Sequence, residues 1–265
     1  MKTRSTVIEK LVIILAIAGI AAFLKNAPMQ AQPQPETSPA STLPTPERDR
    51  IIFTPRPEAK DDDESRGPVN PPPPYGESLC PIAKIPLTAI APNKDGNTNI
   101  ILTAQTHPSL WFYNPYESQL TGEFSISQQG KQIYQQTLQL SGKAGLIGIT
   151  LPTALPGLSL NEEYNWNLTL ICNPQDRAED LYVGGSIKRV NSTPNFTPQL
   201  TAMPQDKAKL YALDGLLPET LTTIVRDLSP KDKATAQLYW TQVMQELGLE
   251  KLSEESPAEQ ETKPL

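Results

Sequence analysis

The sequence predicts a mainly β protein with an α-helical tail: an antiparallel, immunoglobulin-like β-sandwich followed by about three short helices. Three observations carry that prediction. Residues 81–190 break into about eight short apolar runs separated by Pro, Gly and Asn. One of these runs, YNWNLTLIC (164–172), alternates with a strict period of two. After Pro198 the spacing of apolar residues changes to three and four.

The first strands are short. Residues 87–91 form an apolar run, and 99–103 carry Ile-Ile-Leu. The segment HPSLWFYNPY (107–116) puts Trp111, Phe112, Tyr113 and Tyr116 within six positions of a chain that is only 6% aromatic. In 123–127, Phe124 and Ile126 share one side, and in the next run Tyr134, Leu138 and Leu140 share a phase. Gln129-Gly130 between these two runs reads as a hairpin turn. Residues 146–151, 163–172 and 181–190 complete the set. In the run at 164–172, Tyr164, Trp166, Leu168, Leu170 and Cys172 lie on one face and Asn165, Asn167 and Thr169 on the other. That pattern marks a sheet covered on one side.

The helices follow. Pro204, Pro218 and Pro230 stand where first helical turns should begin, because a missing amide costs nothing there. Leu221, Ile224, Val225 and Leu228 form one stripe, and Ala236, Tyr239, Trp240, Val243, Met244 and Leu247 a second. Ser229 and Asp232 suggest a capping box, and Gly215 and Gly248 C-terminal caps. Helices this short need tertiary partners.

Five regions result: a leader (1–31), a Pro-rich disordered linker (32–78), the β-sandwich (79–200), a helical tail packed on it (201–252) and a disordered acidic tail (253–265). The leader has Lys2, Arg4 and Lys10 before 14 uncharged, mostly apolar residues at 11–24. That length suits a signal peptide cut after Ala31 and is short for a membrane span. The alternative is an uncleaved inner-membrane anchor at 11–24, because Lys25 ends the apolar run. Both readings export the rest of the chain to the periplasm or beyond. Residues 28–74 hold 13 of the 28 prolines, which argues for a spacer with too little apolar surface to fold.

Loss of residues 1–31 removes Lys2, Arg4, Lys10, Lys25 and Glu9 from 23 basic and 29 acidic side chains, leaving 19 and 28, a net charge of −9. This argues against nucleic acid, which demands a concentrated basic surface, and against an electrostatic grip on anionic lipid. Contact with the membrane is expected only through an uncleaved N-terminal segment. The two cysteines, Cys80 and Cys172, read as one disulfide in an exported chain, with two buried thiols as the alternative. A bridge across 92 residues contributes about 4–5 kcal/mol in the chain-entropy picture.

No complete catalytic set is present. His107 is the only histidine and has neither a nucleophile elbow nor a free cysteine motif beside it. The alternation Asn93, Asp95, Asn97, Asn99 around Gly96 fits a calcium loop poorly, because its glycine is misplaced and Ala104 occupies the twelfth position. Asp176, Arg177, Glu179 and Asp180 cluster in one short connection. They could equip a carboxylate hydrolase, but short turns carry such residues routinely, and Arg177 could simply clamp Asp180. No cofactor or metal is expected.

Three functions remain. The first is a non-enzymatic interaction module for an envelope protein. The second is a glycan-binding sandwich whose exposed aromatics stack sugar rings. The third is the hydrolase. Trp111, Tyr113, Tyr116 and Trp240 are the candidate binding surface. A strand with Leu110 and Phe112 on one side and Trp111 and Tyr113 on the other is apolar on both. That favours cover on both faces. The Trp111–Tyr113 face then meets either the protein's own helices or something outside.

The segments PLTAIAP (86–92), HPSLWFYNPY, GLIGITLP (145–152) and YNWNLTLICNPQDRAEDLYVGGSIKRV (164–190), with the helical tail, resemble the cyanobacterial domain of unknown function 928 family over about residues 80–250. Trp240 and Gly248-Leu249 stand where that family carries a Trp and a Gly-Leu. Leu217-Pro218 departs from its usual aromatics, and PPPPYGES departs from its glycine-rich stretch. The resemblance implies an exported protein of this architecture and assigns no activity or catalytic residue.

Overall fold

Where about eight strands and three helices were expected, nine strands and four helices stand among the residues described by the computed structural model, which are 50–57, 80, 82–92, 100–194 and 196–265. The strands are β1 (Thr88–Ala89), β2 (Ile101–Thr103), β3 (Ser109–Asn114), β4 (Thr121–Gln128), β5 (Lys131–Leu140), β6 (Gly145–Thr150), β7 (Glu163–Ile171), β8 (Leu181–Arg189) and β9 (Thr262–Pro264). The helices are α1 (Phe196–Ala202), α2 (Lys207–Leu213), α3 (Leu217–Thr222) and α4 (Lys233–Glu246). A π-helical turn, Thr223–Leu228, continues α3, and 3-10 turns lie at Arg177–Glu179, Pro204–Asp206 and Glu250–Leu252. The leader at 1–31, the proline run at 71–74 and the calcium-like loop at 93–99 lie outside the described residues.

The strands form two sheets, one of order β1-β3-β6 and one of order β2-β8-β7-β4-β5-β9. Every strand pairing is antiparallel except one: β2 runs parallel to β8, with Ile101 opposite Ile187. This corrects the all-antiparallel expectation. The hairpin between β4 and β5 turns on Gln129 (φ 50°) and Gly130 (φ 76°), the double positive φ that a two-residue connection requires. In β7 the inward phase is buried and the outward phase half-buried, as its alternation predicts.

The two sheets meet through aromatic rings. Phe112 of β3 packs edge-on against Phe124 of β4 and Trp166 of β7, with centroids 6.2 and 5.5 Å apart. All six residues of β3 are buried. Its opposite face carries Trp111, whose indole Nε1 donates to Thr222 Oγ1 of α3 at 3.3 Å. The helices therefore cover the second face of this strand. A disulfide joins Cys80 to Cys172 at the end of β7, with Cα atoms 5.3 Å apart. Cys172 points into the core, as its phase in the strand requires.

Local helix signals are partly corrected. Gly215 (φ 70°) and Gly248 (φ 74°) both close helices as expected. After α2, the amide of Leu216 reaches the carbonyl of Tyr211, and after α4 that of Leu249 reaches Met244. The cap of α4 is Asp232 itself, which accepts from the Thr235 amide at 3.1 Å, so Ser229 is not the cap. The helix begins only at Lys233, and Ser229 ends the preceding π turn.

Two segments expected to be disordered are built into the fold. Residues 50–57, inside the Pro-rich stretch, are extended: Ile51 and Phe53 are buried while Ile52 points outward. Their backbone bonds to Gln242 Oε1 (2.8 Å) and to the Ala212 carbonyl (3.0 Å). Two apolar anchors and two hydrogen bonds offset the ordering entropy that the prolines alone could not. The acidic end, 253–265, is likewise ordered. Glu259 bridges to Leu146, and β9 pairs antiparallel with β5.

Candidate functional site

None of the four candidate aromatics forms an exposed platform. Trp111 is only 2% exposed, and Tyr113, Tyr116 and Trp240 are also buried. The Trp240 indole donates to the Leu252 carbonyl at 2.7 Å, holding the 3-10 turn after α4. Asn114 ties down the NPY turn: its amide donates to the Tyr116 carbonyl, and its oxygen accepts from the Tyr116 amide. The Tyr113 hydroxyl lies toward the Glu255 carboxylate, with which it interacts electrostatically and by hydrogen bonding. Burial, then the Glu255 charge, then that hydrogen bond push the Tyr113 pKa above its ordinary value. Burial alone does the same for Tyr116. Trp111 and Trp240 are thus corrected to core, Trp111 because β3 is covered by a sheet on one face and by helices on the other, while Tyr113 and Tyr116 reach the surface only by their edges.

Most of the remaining sequence candidates spend their polar atoms internally; Glu179 Oε1 accepts from Asn173 Nδ2 at 3.5 Å, while its Oε2 is buried with no partner among the described residues. His107 lies 3.0 Å from both Thr106 Oγ1 and the Leu155 carbonyl. Asp176 caps the 3-10 turn by accepting from the Ala178 amide at 3.0 Å. Asp180 accepts from the Cys172 amide and pairs with Arg177. Arg177 reaches across to Glu123 of β4 at 2.8 Å. Hydrogen bonds donated to Glu123 first, then to Asp180, raise the Arg177 pKa above its ordinary value. This cluster is a staple between the β7–β8 connection and β4. Among the described residues, no group of three or more His, Cys, Asp or Glu side chains is placed to hold a metal.

What is open to solvent is a groove. Two adjoining hollows, of about 250 and 960 Å³, share Ile85, Glu250 and Lys251. The segment around β1 forms one wall, and the Glu250–Leu252 turn forms the other. The edges of Tyr113 and Tyr116 line the larger hollow. Ile82, at its rim, is 81% exposed. Lys84 and Lys251 face Glu117, Glu250, Glu254 and Glu255 around the opening. β1 is also the outer strand of its sheet, so a strand edge borders the smaller hollow.

Two functional-grade polar centres escaped the sequence reading. Glu219, the third residue of α3, is 2% exposed. Its Oε1 accepts from Thr103 Oγ1 (2.8 Å), the Ala104 amide (2.7 Å) and the Gln105 amide (3.2 Å). Its Oε2 is buried with no partner among the described residues. Burial pushes the Glu219 pKa up, opposed by these hydrogen bonds. Arg226, on the π turn, stacks over Trp111 with its guanidinium carbon 4.9 Å from the ring centroid and grips Glu259 with both arms of its fork. The Glu259 hydrogen bond is the first cause of its raised pKa. No short motif could reveal either centre. The partners of Glu219 lie 114–116 residues away, and Glu259 lies 33 residues from Arg226.

A family model described as Domain of Unknown Function (DUF928) matches residues 63–257. No curated protein matches the chain.

Proposed function

The chain belongs to the domain of unknown function (DUF928) family, and from that membership, which names no activity, we propose that it is an exported, non-enzymatic interaction module of the cell envelope. Its contact surface is the groove between β1 and the Glu250–Leu252 turn. The observation that carries this reading is the groove's make-up: an 81% exposed Ile82 and a half-buried Ile85 sit in a concave surface with charges of both signs at its rim. Such a surface suits a peptide segment with an apolar centre and polar flanks. The Cys80–Cys172 disulfide and the charged, then apolar N-terminus favour an oxidising compartment outside the cytosol. Among the described residues, no helix is long and apolar enough to cross a membrane.

The glycan reading loses its platform with the burial of Trp111 and Tyr113. The hydrolase reading gains no support from Asp176 and Asp180, which are a turn cap and an ion-paired staple. A photo-crosslinking amino acid placed at Lys84 in the full-length chain tests the groove in living cells. A discrete adduct at that position is expected, lost when Ile82→Glu is added and absent when the probe sits at Lys188 on β8. Equal labelling at Lys84 and Lys188, or no adduct at either, rejects the groove as the contact surface.

A further inference from the structure

We propose that the Arg226 fork and the facing edges of β5 and β6 form a second binding site, for an extended glutamate-bearing peptide segment of another protein. Residues 259–264 of this chain are its resident occupant. This site lies apart from the β1 groove and goes beyond the reading above.

The tail shows what the site recognises. β6 is the outer strand of its sheet, and beyond β5 the larger sheet carries only the three-residue β9. The tail uses both edges. The Gln260 amide bonds to the Leu146 carbonyl at 2.6 Å, and three residues then pair with β5, Thr262 opposite Leu140 and Pro264 opposite Leu138. This is strand addition, in which backbone bonds supply affinity and a side-chain pocket supplies selectivity.

The pocket is Arg226, and protein groups other than the tail hold it in place. Its Nη1 donates to Ser109 Oγ (3.0 Å) and Thr150 Oγ1 (3.2 Å), which are themselves 2.7 Å apart. Its guanidinium lies over Trp111. Those contacts leave Nε and Nη2 for a carboxylate, and Glu259 takes them at 2.8 and 2.7 Å. A two-armed guanidinium–carboxylate pair selects a planar anion. Gly148 keeps the seat open: a Cβ there would stand 2.7 Å from Glu259 Oε1 and 2.9 Å from both Arg226 Nη2 and the Trp111 ring. The clamp also sits on a π-helical turn, a feature that recurs at functional sites.

The occupant is lightly held. Beyond the clamped Glu259, the residues Glu261, Lys263 and Pro264 are exposed, and Leu265 is 73% exposed. A three-residue strand on a sheet edge is marginal by itself. A hollow of about 500 Å³ beside it, bordered by Gln136 and Pro264, leaves room for a longer strand. Arg226, Ser109, Thr150 and Gly148 all lie inside the region matched by the family model, and residues 259–264 lie outside it. The receptor side chains therefore lie within the stretch that the family model matches, and the occupant lies beyond it.

The test uses the full-length chain, wild type and Glu259→Gln, with a fluorescent peptide of residues 257–265 (PAEQETKPL) and the same peptide carrying Glu259→Gln. In anisotropy titrations the Glu259→Gln chain should bind the glutamate peptide about tenfold or more tighter than the wild-type chain does. It should prefer that peptide over the substituted one by a similar factor, and Arg226→Lys should remove the preference. Absence of binding to the folded Glu259→Gln chain at millimolar peptide, or indifference to the glutamate, overturns the proposal. A concentration-dependent wild-type dimer that Glu259→Gln abolishes assigns the Arg226 site to a second copy's tail and overturns its assignment to another protein. Hydrogen exchange of the wild-type chain gives an independent reading. The Gln260 and Leu265 amides should exchange about a hundredfold faster than those of β4, whereas equal protection makes β9 a permanent strand and rejects the proposal.

Discussion

Glu219→Ala is expected to lower the unfolding free energy by about 2–5 kcal/mol, the sum of orphaning the buried Thr103 hydroxyl and the half-buried Ala104 amide at about 1–3 kcal/mol each, since the Gln105 amide keeps Thr103 Oγ1 as an acceptor. Thr103 Oγ1 and the amides of Ala104 and Gln105 all donate to one carboxylate oxygen. Removing that oxygen detaches the start of α3 from the end of β2. Glu219→Gln keeps an oxygen in place and should cost far less. The pH dependence separates these effects. Burial raises the carboxyl pKa in the folded chain above its ordinary 4.5, so the folded state holds this proton more tightly than the unfolded one. The stability it contributes is full below the ordinary value and is lost as pH rises through the raised one. Urea denaturation across that window should show this slope in the wild type and its loss in Glu219→Gln. An unchanged slope would mean that Glu219 does not titrate in the interior.

Phe112→Ala should cost about 3–5 kcal/mol, the usual loss for emptying a buried aromatic site. The ring is 1% exposed and packs against Phe124 and Trp166 on the neighbouring strands β4 and β7 of the larger sheet. No other side chain of β3 joins the two sheets in this way through paired rings, so the deletion opens the interface between them. Chemical denaturation, followed by near-ultraviolet dichroism, measures the loss. A change below about 1 kcal/mol, the range of surface substitutions, would place the ring outside the shared core.

Much of the fold was legible because its signals are local. The alternation of Tyr164 to Cys172 gave the covered face of β7, and both positive-φ positions at Gln129 and Gly130 gave the hairpin. Gly215 and Gly248 marked helix ends for the same reason. The features that were missed depend on distant partners. Ile51 and Phe53 form only a short alternation inside proline-rich sequence, and the backbone of Ile51 bonds 191 residues away. The acidic tail reads as disordered until Arg226 and the open edge of β5 are seen together. The parallel direction of β2 is a choice of pairing, to which side-chain alternation is blind. At the candidate site, two-sided apolarity in β3 was visible in the sequence. That the chain's own helices cover Trp111 became visible only with Thr222 and Arg226 in place.

The central claim is that the indoles of β3, β7 and α4 are interior and offer no exposed platform for a ligand. Tryptophan fluorescence tests it most directly, because the chain has only three tryptophans. Trp111, Trp166 and Trp240 are 2%, 2% and 0% exposed. The folded protein should emit at short wavelength, resist quenching by acrylamide, and keep its spectrum when soluble envelope glycans are added. Long-wavelength emission, ready quenching, or a saturable shift with a glycan would put an indole at the surface and contradict the account.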